Sequence, residues 1–135
     1  MYARFAVIAV TLVFTAASDP QNVKAPYPSM APIEQYLIGR DGEISLARSA
    51  APEAISRDAK VLVLGRHGYE TAVEGRNGFV YVVERAWMAD FDSSEFWNPK
   101  IRRAVCLNAS TAPSILPITF VRLTQSRFSC KRKLR

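Results

Sequence analysis

The sequence predicts an α+β domain: short amino-terminal helices packed on a three- or four-stranded antiparallel meander. Three observations carry that expectation. Helical spacing and helix-starting residues are concentrated in residues 32–56, and β-branched apolar runs lie within 60–83. Between two of those runs stands Asn77-Gly78, a dipeptide favoured in tight hairpins because it tolerates positive φ.

Taken in order, the first element is Ile33 to Ile38, a short helix opened by Pro32 and stopped by Gly39. Asp41 is placed to cap a second helix reaching Ser49, with Glu43 at its positive end and Ile44, Ala47 and Ala51 on one face. Pro52 interrupts that helix, and Pro52 to Ser56 forms a further turn. Lys60 to Leu64 and Tyr69 to Glu74 read as two strands, and Phe79 to Val83 as a third beyond the Asn77-Gly78 turn. In the third strand Phe79, Tyr81 and Val83 share one face and Val80 and Val82 the other, so both sides of the sheet are apolar enough to be covered. Trp87 to Pro99 reads as a folded loop with one helical turn, and Ile101 to Leu107 as a fourth strand. Ser110 or Thr111 with Pro113 opens a last helix through Leu116, which Pro117 keeps short.

Ahead of these elements, Arg4 precedes the apolar run Phe5 to Phe14 and the small residues Ala16, Ala17 and Ser18. A run of about ten residues is too short to span a bilayer and has the form of a secretory leader, so residues 1–17 are expected to be a signal peptide. Residues 18–31, with Pro20, Pro26 and Pro28, form a linker. Residues 32–120 are the single domain, and 121–135 a basic tail.

The 135-residue chain carries a formal charge of +6. From Ser18 to Val121 eleven basic residues, Lys24 through Arg103, face all twelve acidic ones, so the body is close to neutral. The excess lies in Arg122, Arg127, Lys131, Arg132, Lys133 and Arg135, with no acid among them. A basic segment attracts phosphates or anionic lipid by releasing counterions, but one confined to a terminus reads as a solvated tail, and no nucleic acid is expected as partner. The two cysteines, Cys106 and Cys130, are able to close a disulfide loop in an oxidising compartment, worth about 3 kcal/mol in the entropic model. Their spacing is neither that of a zinc site nor of a redox motif.

Two constellations suggest chemistry. The strand end Leu64-Gly65-Arg66-His67-Gly68 resembles the Arg-His-Gly motif of the histidine phosphatases and phosphoglycerate mutases, in which the histidine accepts a phosphoryl group and arginines hold it. That resemblance implies a phosphohydrolase role for His67, yet those enzymes need a second histidine and a helix after the motif. His67 is the only histidine here, and strand-like residues follow it. Asp90, Asp92 and Ser94 have the alternate spacing that opens a calcium loop, but Glu95 stands where the loop needs glycine and Ile101 where it needs an acid, so no metal is expected. Trp87, Phe91, Phe96 and Trp97 supply rings for a core, a pocket or a partner surface.

The blocks Ala47–Ala59, Val61–Glu70 and Glu95–Lys100 are similar to an uncharacterised family of predicted exported bacterial proteins, a resemblance extending over Met30 to Phe120. It implies an extracytoplasmic bacterial protein, with the hairpin region as the family's central part, and it implies no activity, cofactor or catalytic residue. Members of that family continue past this chain's end with a histidine-containing stretch. The departure near Val121 carries the expectation that a frameshift or early stop has replaced the original carboxyl end.

The functional expectation is therefore an exported protein, periplasmic or secreted after leader removal, that binds a small ligand or an envelope partner without catalytic residues or cofactor of its own and meets the membrane only during export. Arg66, His67, Tyr69, Trp87 and Trp97 are the candidate ligand contacts. The alternative is a fragment of a hydrolase built on the Arg66-His67-Gly68 turn.

Overall fold

The computed structural model describes residues 26–132, with side chains as far as Gln125. The expected leader, and the first part of the expected linker, lie outside the described residues. Within them the chain runs from a 3-10 turn at Ile33–Gln35 to helices α1 (Arg40–Arg48) and α2 (Glu53–Ser56), then strands β1 (Lys60–Gly65), β2 (Gly68–Val73) and β3 (Val80–Arg85). A 3-10 turn at Ala86–Met88, strand β4 (Arg102–Leu107) and helix α3 (Ala112–Arg132) complete it. This is an α+β fold.

Two expectations are corrected. The strands do not form a meander: the sheet has the order β2-β1-β3-β4, with β1 and β3 parallel and the other pairs antiparallel. The reason lies in residues 74–79. Gly78 does take a positive φ of 79°, yet its neighbours bind the far side of β1 instead of closing a hairpin. The backbone N–H groups of Arg76 and Asn77 donate to the Asp58 carbonyl at 2.7 and 3.2 Å, Asn77 Nδ2 donates to the Ile55 carbonyl at 2.8 Å, and Lys60 N donates to the Phe79 carbonyl at 2.9 Å. The segment crosses the start of β1 so closely that a Cβ on Gly75 would lie 2.0 Å from Lys60 N. That crossing carries the chain from the edge strand β2 to the far side of β1.

The helices, likewise, are not all amino-terminal. Pro117 was expected to keep the last helix short, but α3 continues through it to Arg132, past Val121. Proline removes one N–H and crowds the carbonyl four residues back, a cost of about 3 kcal/mol in a helix interior. Packing outweighs it: Ala112, Thr119 and Leu123 lie on the inward side and are buried. The Asn108 side chain organises the start by accepting from the Ser110 and Thr111 N–H groups at 3.1 and 2.9 Å.

The alternation in the strands sorts the core into two sides. Val61, Tyr81 and Val83 face α1, packing with Ala47 and Ala59. Leu62, Val82 and Leu107 face the opposite way and pack with Ala112 of α3. Farther along α3, Leu123 joins Met30, Tyr36, Leu64, Trp87 and Phe96, so that even the end of the segment expected as linker is anchored in the core.

Candidate functional site

The Arg66-His67 tip is a two-residue turn between β1 and β2, flanked by Gly65 paired with Gly68. Gly68 has a φ of 133°, which a side chain would strain. Arg66 and His67 are exposed, and Arg66 Nη1 lies 3.7 Å from Glu34 Oε1. His67 borders a cleft of about 170 Å³ whose other walls are Gly68, Tyr69, Phe120, Leu123 and Thr124.

Of those walls only Tyr69 is an acid-base group, and its hydroxyl is committed. It donates to the Val83 carbonyl at 3.0 Å, and burial holds its pKa far above the ordinary tyrosine value. Its ring packs on Phe120 with centroids 5.8 Å apart. Tyr69 is therefore a strut between sheet and α3, and the lining leaves His67 without a proton partner in that cleft. Among the described residues no group of three or more His, Cys, Asp or Glu side chains is placed to hold a metal ion.

Trp87 is fully buried against Tyr36, with ring centroids 4.9 Å apart, and so cannot touch a ligand without opening the core. Trp97 is half-buried, edge-on to Phe96 at 4.4 Å, and its carbonyl accepts from the Tyr36 hydroxyl at 2.7 Å. The structure thus draws Tyr69, Trp87 and Trp97 into one apolar cluster and leaves Arg66 and His67 on the surface. Cys106 is a half-buried free thiol. Its side chain packs beside Tyr81 on the α1 side of the sheet, opposite the side on which α3 begins. The side chain of Cys130 lies outside those described.

Among the described residues, the largest apolar exposure lies elsewhere. Phe91 is 71% exposed, Val121 52% and Ile118 48%, and with Pro117, Arg122 and Gln125 they line an open groove of about 390 Å³ along the outer face of α3. Arg122 fixes this surface: its Nη1 donates to the Trp87 and Ala89 carbonyls at 3.0 and 2.9 Å, and its guanidinium sits 4.5 Å above the Phe91 ring. A second groove of about 380 Å³ runs along the other flank of α3, between Leu116, Phe120 and the crossover at Gly75 and Phe79.

No family model, curated protein or solved structure matches the chain. Function is then a question of what the surface offers. Of the four aromatic residues singled out between Trp87 and Trp97, Phe91 alone is presented outward. The α3 face was not expected at all. Its signal was the helical spacing of Ile118, Val121 and Gln125 against Thr119 and Leu123, hidden behind the assumption that Pro117 ends the helix.

Proposed function

We propose that this chain is an exported binding module that engages an envelope partner or ligand through the outer face of α3 and the adjoining Phe91. One observation carries the reading: Phe91, Ile118 and Val121 form a contiguous apolar surface that Arg122 holds in place by two hydrogen bonds and a ring contact. Apolar side chains gathered in one exposed patch are characteristic of interaction surfaces, whereas scattered ones are ordinary. Export is supported by the apolar run Phe5–Phe14 with its small-residue flank. Among the described residues no helix is long and apolar enough to cross a membrane.

The test is fractionation of bacteria producing the full chain. Wild type is expected in the envelope fraction, with a new amino terminus after Ala17 or Ser18. The pair Ile118→Asp and Val121→Asp is expected to release it into the soluble extracytoplasmic fraction while leaving its circular dichroism unchanged. Retention equal to wild type in the folded double variant would remove the α3 face from the function.

A further inference from the structure

Independently of the α3 face, we infer that a cavity of about 150 Å³ between the end of β3, the start of β4 and the loop joining them binds a primary ammonium group on a short aliphatic stem. It shares no lining residue with the α3 groove. Strand register builds one wall: Glu84 on β3 pairs with Arg103 on β4, and alternation turns both to the side of the sheet opposite Arg85. Ala86, Met88, Glu95 and Ile101 of the loop supply the others. Arg103 donates from Nη2 and Nε to the same oxygen, Glu84 Oε2, at 2.6 and 3.2 Å. No described residue donates to Glu84 Oε1, although the side chain is only 6% exposed. Glu95 repeats the pattern: its Oε2 accepts from Asn98 Nδ2 at 2.5 Å, and its Oε1 accepts from no described residue.

A carboxylate oxygen without a donor on a side chain this deeply buried is costly, and a ligand that brings a donor relieves the cost. Charge selects the kind of ligand. Two carboxylates line the cavity against one guanidinium, and that guanidinium is already committed to Glu84. A monocation neutralises the remaining charge, whereas an anion meets the free oxygens of both glutamates. Donor geometry narrows the choice further. A guanidinium ligand is held best by both oxygens of one carboxylate, and here each carboxylate has one oxygen engaged. An ammonium is a compact head with three donors, enough to meet Oε1 of Glu84 and Oε1 of Glu95, and its stem is accommodated by Ala86, Met88 and Ile101. A hard divalent cation needs six or more oxygens, and among the described residues no third carboxylate, histidine or thiol joins this pair to hold one.

The experiment is an NMR titration of the purified full chain with three probes that share a four-carbon stem: n-butylammonium, n-butanol and butyrate. n-Butylammonium is expected to shift the amide signals of Glu84, Ala86 and Met88 and to bind about tenfold or more tighter than n-butanol, with butyrate weaker still. Glu84→Gln and Glu95→Gln should each weaken it about tenfold. Arg103→Gln, which frees Glu84 Oε2 and removes the competing cation, should tighten it; loss of binding in all three variants would mean that the ion pair only holds the walls in place and would overturn the inference. Glu70→Gln, at an exposed carboxylate outside the cavity, should change nothing. Circular dichroism and thermal unfolding establish which variants are folded. Arg103 is 72% exposed and Glu95 half-buried, so those two decide the question even if Glu84→Gln does not fold. No binding of n-butylammonium, n-butanol binding as tightly, tighter binding of butyrate, or ammonium binding that survives Glu95→Gln overturns the inference. Nα-acetyl-lysine N-methylamide carries the same stem on a peptide backbone. Its binding as tightly as n-butylammonium assigns the cavity to lysine side chains of a partner, and its exclusion assigns it to free amines. The double Asp variant of α3 should bind n-butylammonium like wild type, so this inference and the binding reading of α3 fail separately.

Discussion

The carboxylate of Glu43 on α1 and the guanidinium of Arg85 on β3 meet at 2.7 Å with side-chain exposures of 1% and 0%. Neither charge is left with a single partner. Glu43 Oε1 accepts from the Leu64 N–H at 3.1 Å, while Arg85 donates from Nε to the Tyr36 carbonyl and from Nη1 to the Val83 carbonyl at 3.1 and 2.7 Å. One ion pair therefore ties α1, β1, β3 and the first 3-10 turn together. Removing one member strands a buried charge, which costs about 3–5 kcal/mol. Glu43→Ala and Arg85→Ala should each lose that much in urea unfolding. Glu43→Leu combined with Arg85→Met should recover most of it, and a double variant as unstable as the singles added together would show that the two charges do not act as a pair.

The crossover at Gly75 gives a sharper expectation. Because a Cβ there would lie 2.0 Å from Lys60 N and 2.6 Å from the Ala59 carbonyl carbon, only backbone movement can make room. Gly75→Ala should destabilise by roughly 3 kcal/mol or more, in the range of severe packing and strain effects. Gly42 is the internal control. It lies in α1 with nothing within 4 Å of its would-be Cβ, so Gly42→Ala should stabilise by about 0.5–1 kcal/mol through helix propensity. Thermal unfolding of the two variants should move in opposite directions.

The strands and the early helices were legible because each is announced locally, by β-branched runs, by Pro52 and by the glycines at 65 and 68. The sheet order was not. It depends on the Gly75 segment meeting Ala59 and Lys60, a contact between stretches that nothing in either one announces. Asn77-Gly78 was read correctly as a place of positive φ and wrongly as a hairpin, since the same conformation serves a crossover when its hydrogen bonds go to Asp58 and Ile55. Glu43 was read as a complement to the helix dipole, which its position allows, but its burial follows from Arg85, 42 residues away. In α3 a local rule about proline lost to the burial of Thr119 and Leu123, and with it went any sight of the outer face.

Trp87 separates volume from polarity. It is fully buried and its Nε1 has no hydrogen-bond acceptor among the described residues. Trp87→Ala should cost about 3–5 kcal/mol, the usual loss for a large aromatic truncated in a core. Trp87→Phe keeps most of the ring against Tyr36 and removes an unsatisfied N–H, whose burial itself costs about 1–3 kcal/mol, so it should lose far less. Equal destabilisation by the two changes, measured by denaturant unfolding, would mean that the N–H has a partner that the geometry does not show. His67→Ala, by contrast, removes an exposed imidazole and should leave stability within about 0.5 kcal/mol of wild type.

Stability should also fall at alkaline pH. Tyr36, Tyr69 and Tyr81 all hold their protons more tightly than an ordinary tyrosine of pKa 10.0, burial being the principal cause in each, and Tyr81 is pushed up to about 12. Raised folded-state values favour the neutral form. Below pH 10 the folded and unfolded chains carry the same hydroxyl protons and the contribution is complete. Above it the unfolded chain ionises first, so stability drains away as pH climbs through the folded-state values, by at most about 1.4 kcal/mol per pH unit for each tyrosine. Denaturant unfolding followed from neutral pH to about pH 12 should show this decline. Tyr69→Phe should start lower, having lost the bond to the Val83 carbonyl, and should decline less steeply because one ionising group is gone. Tyrosinate absorbance in which all five tyrosines titrate near pH 10 in protein that remains folded would count against shielded hydroxyls.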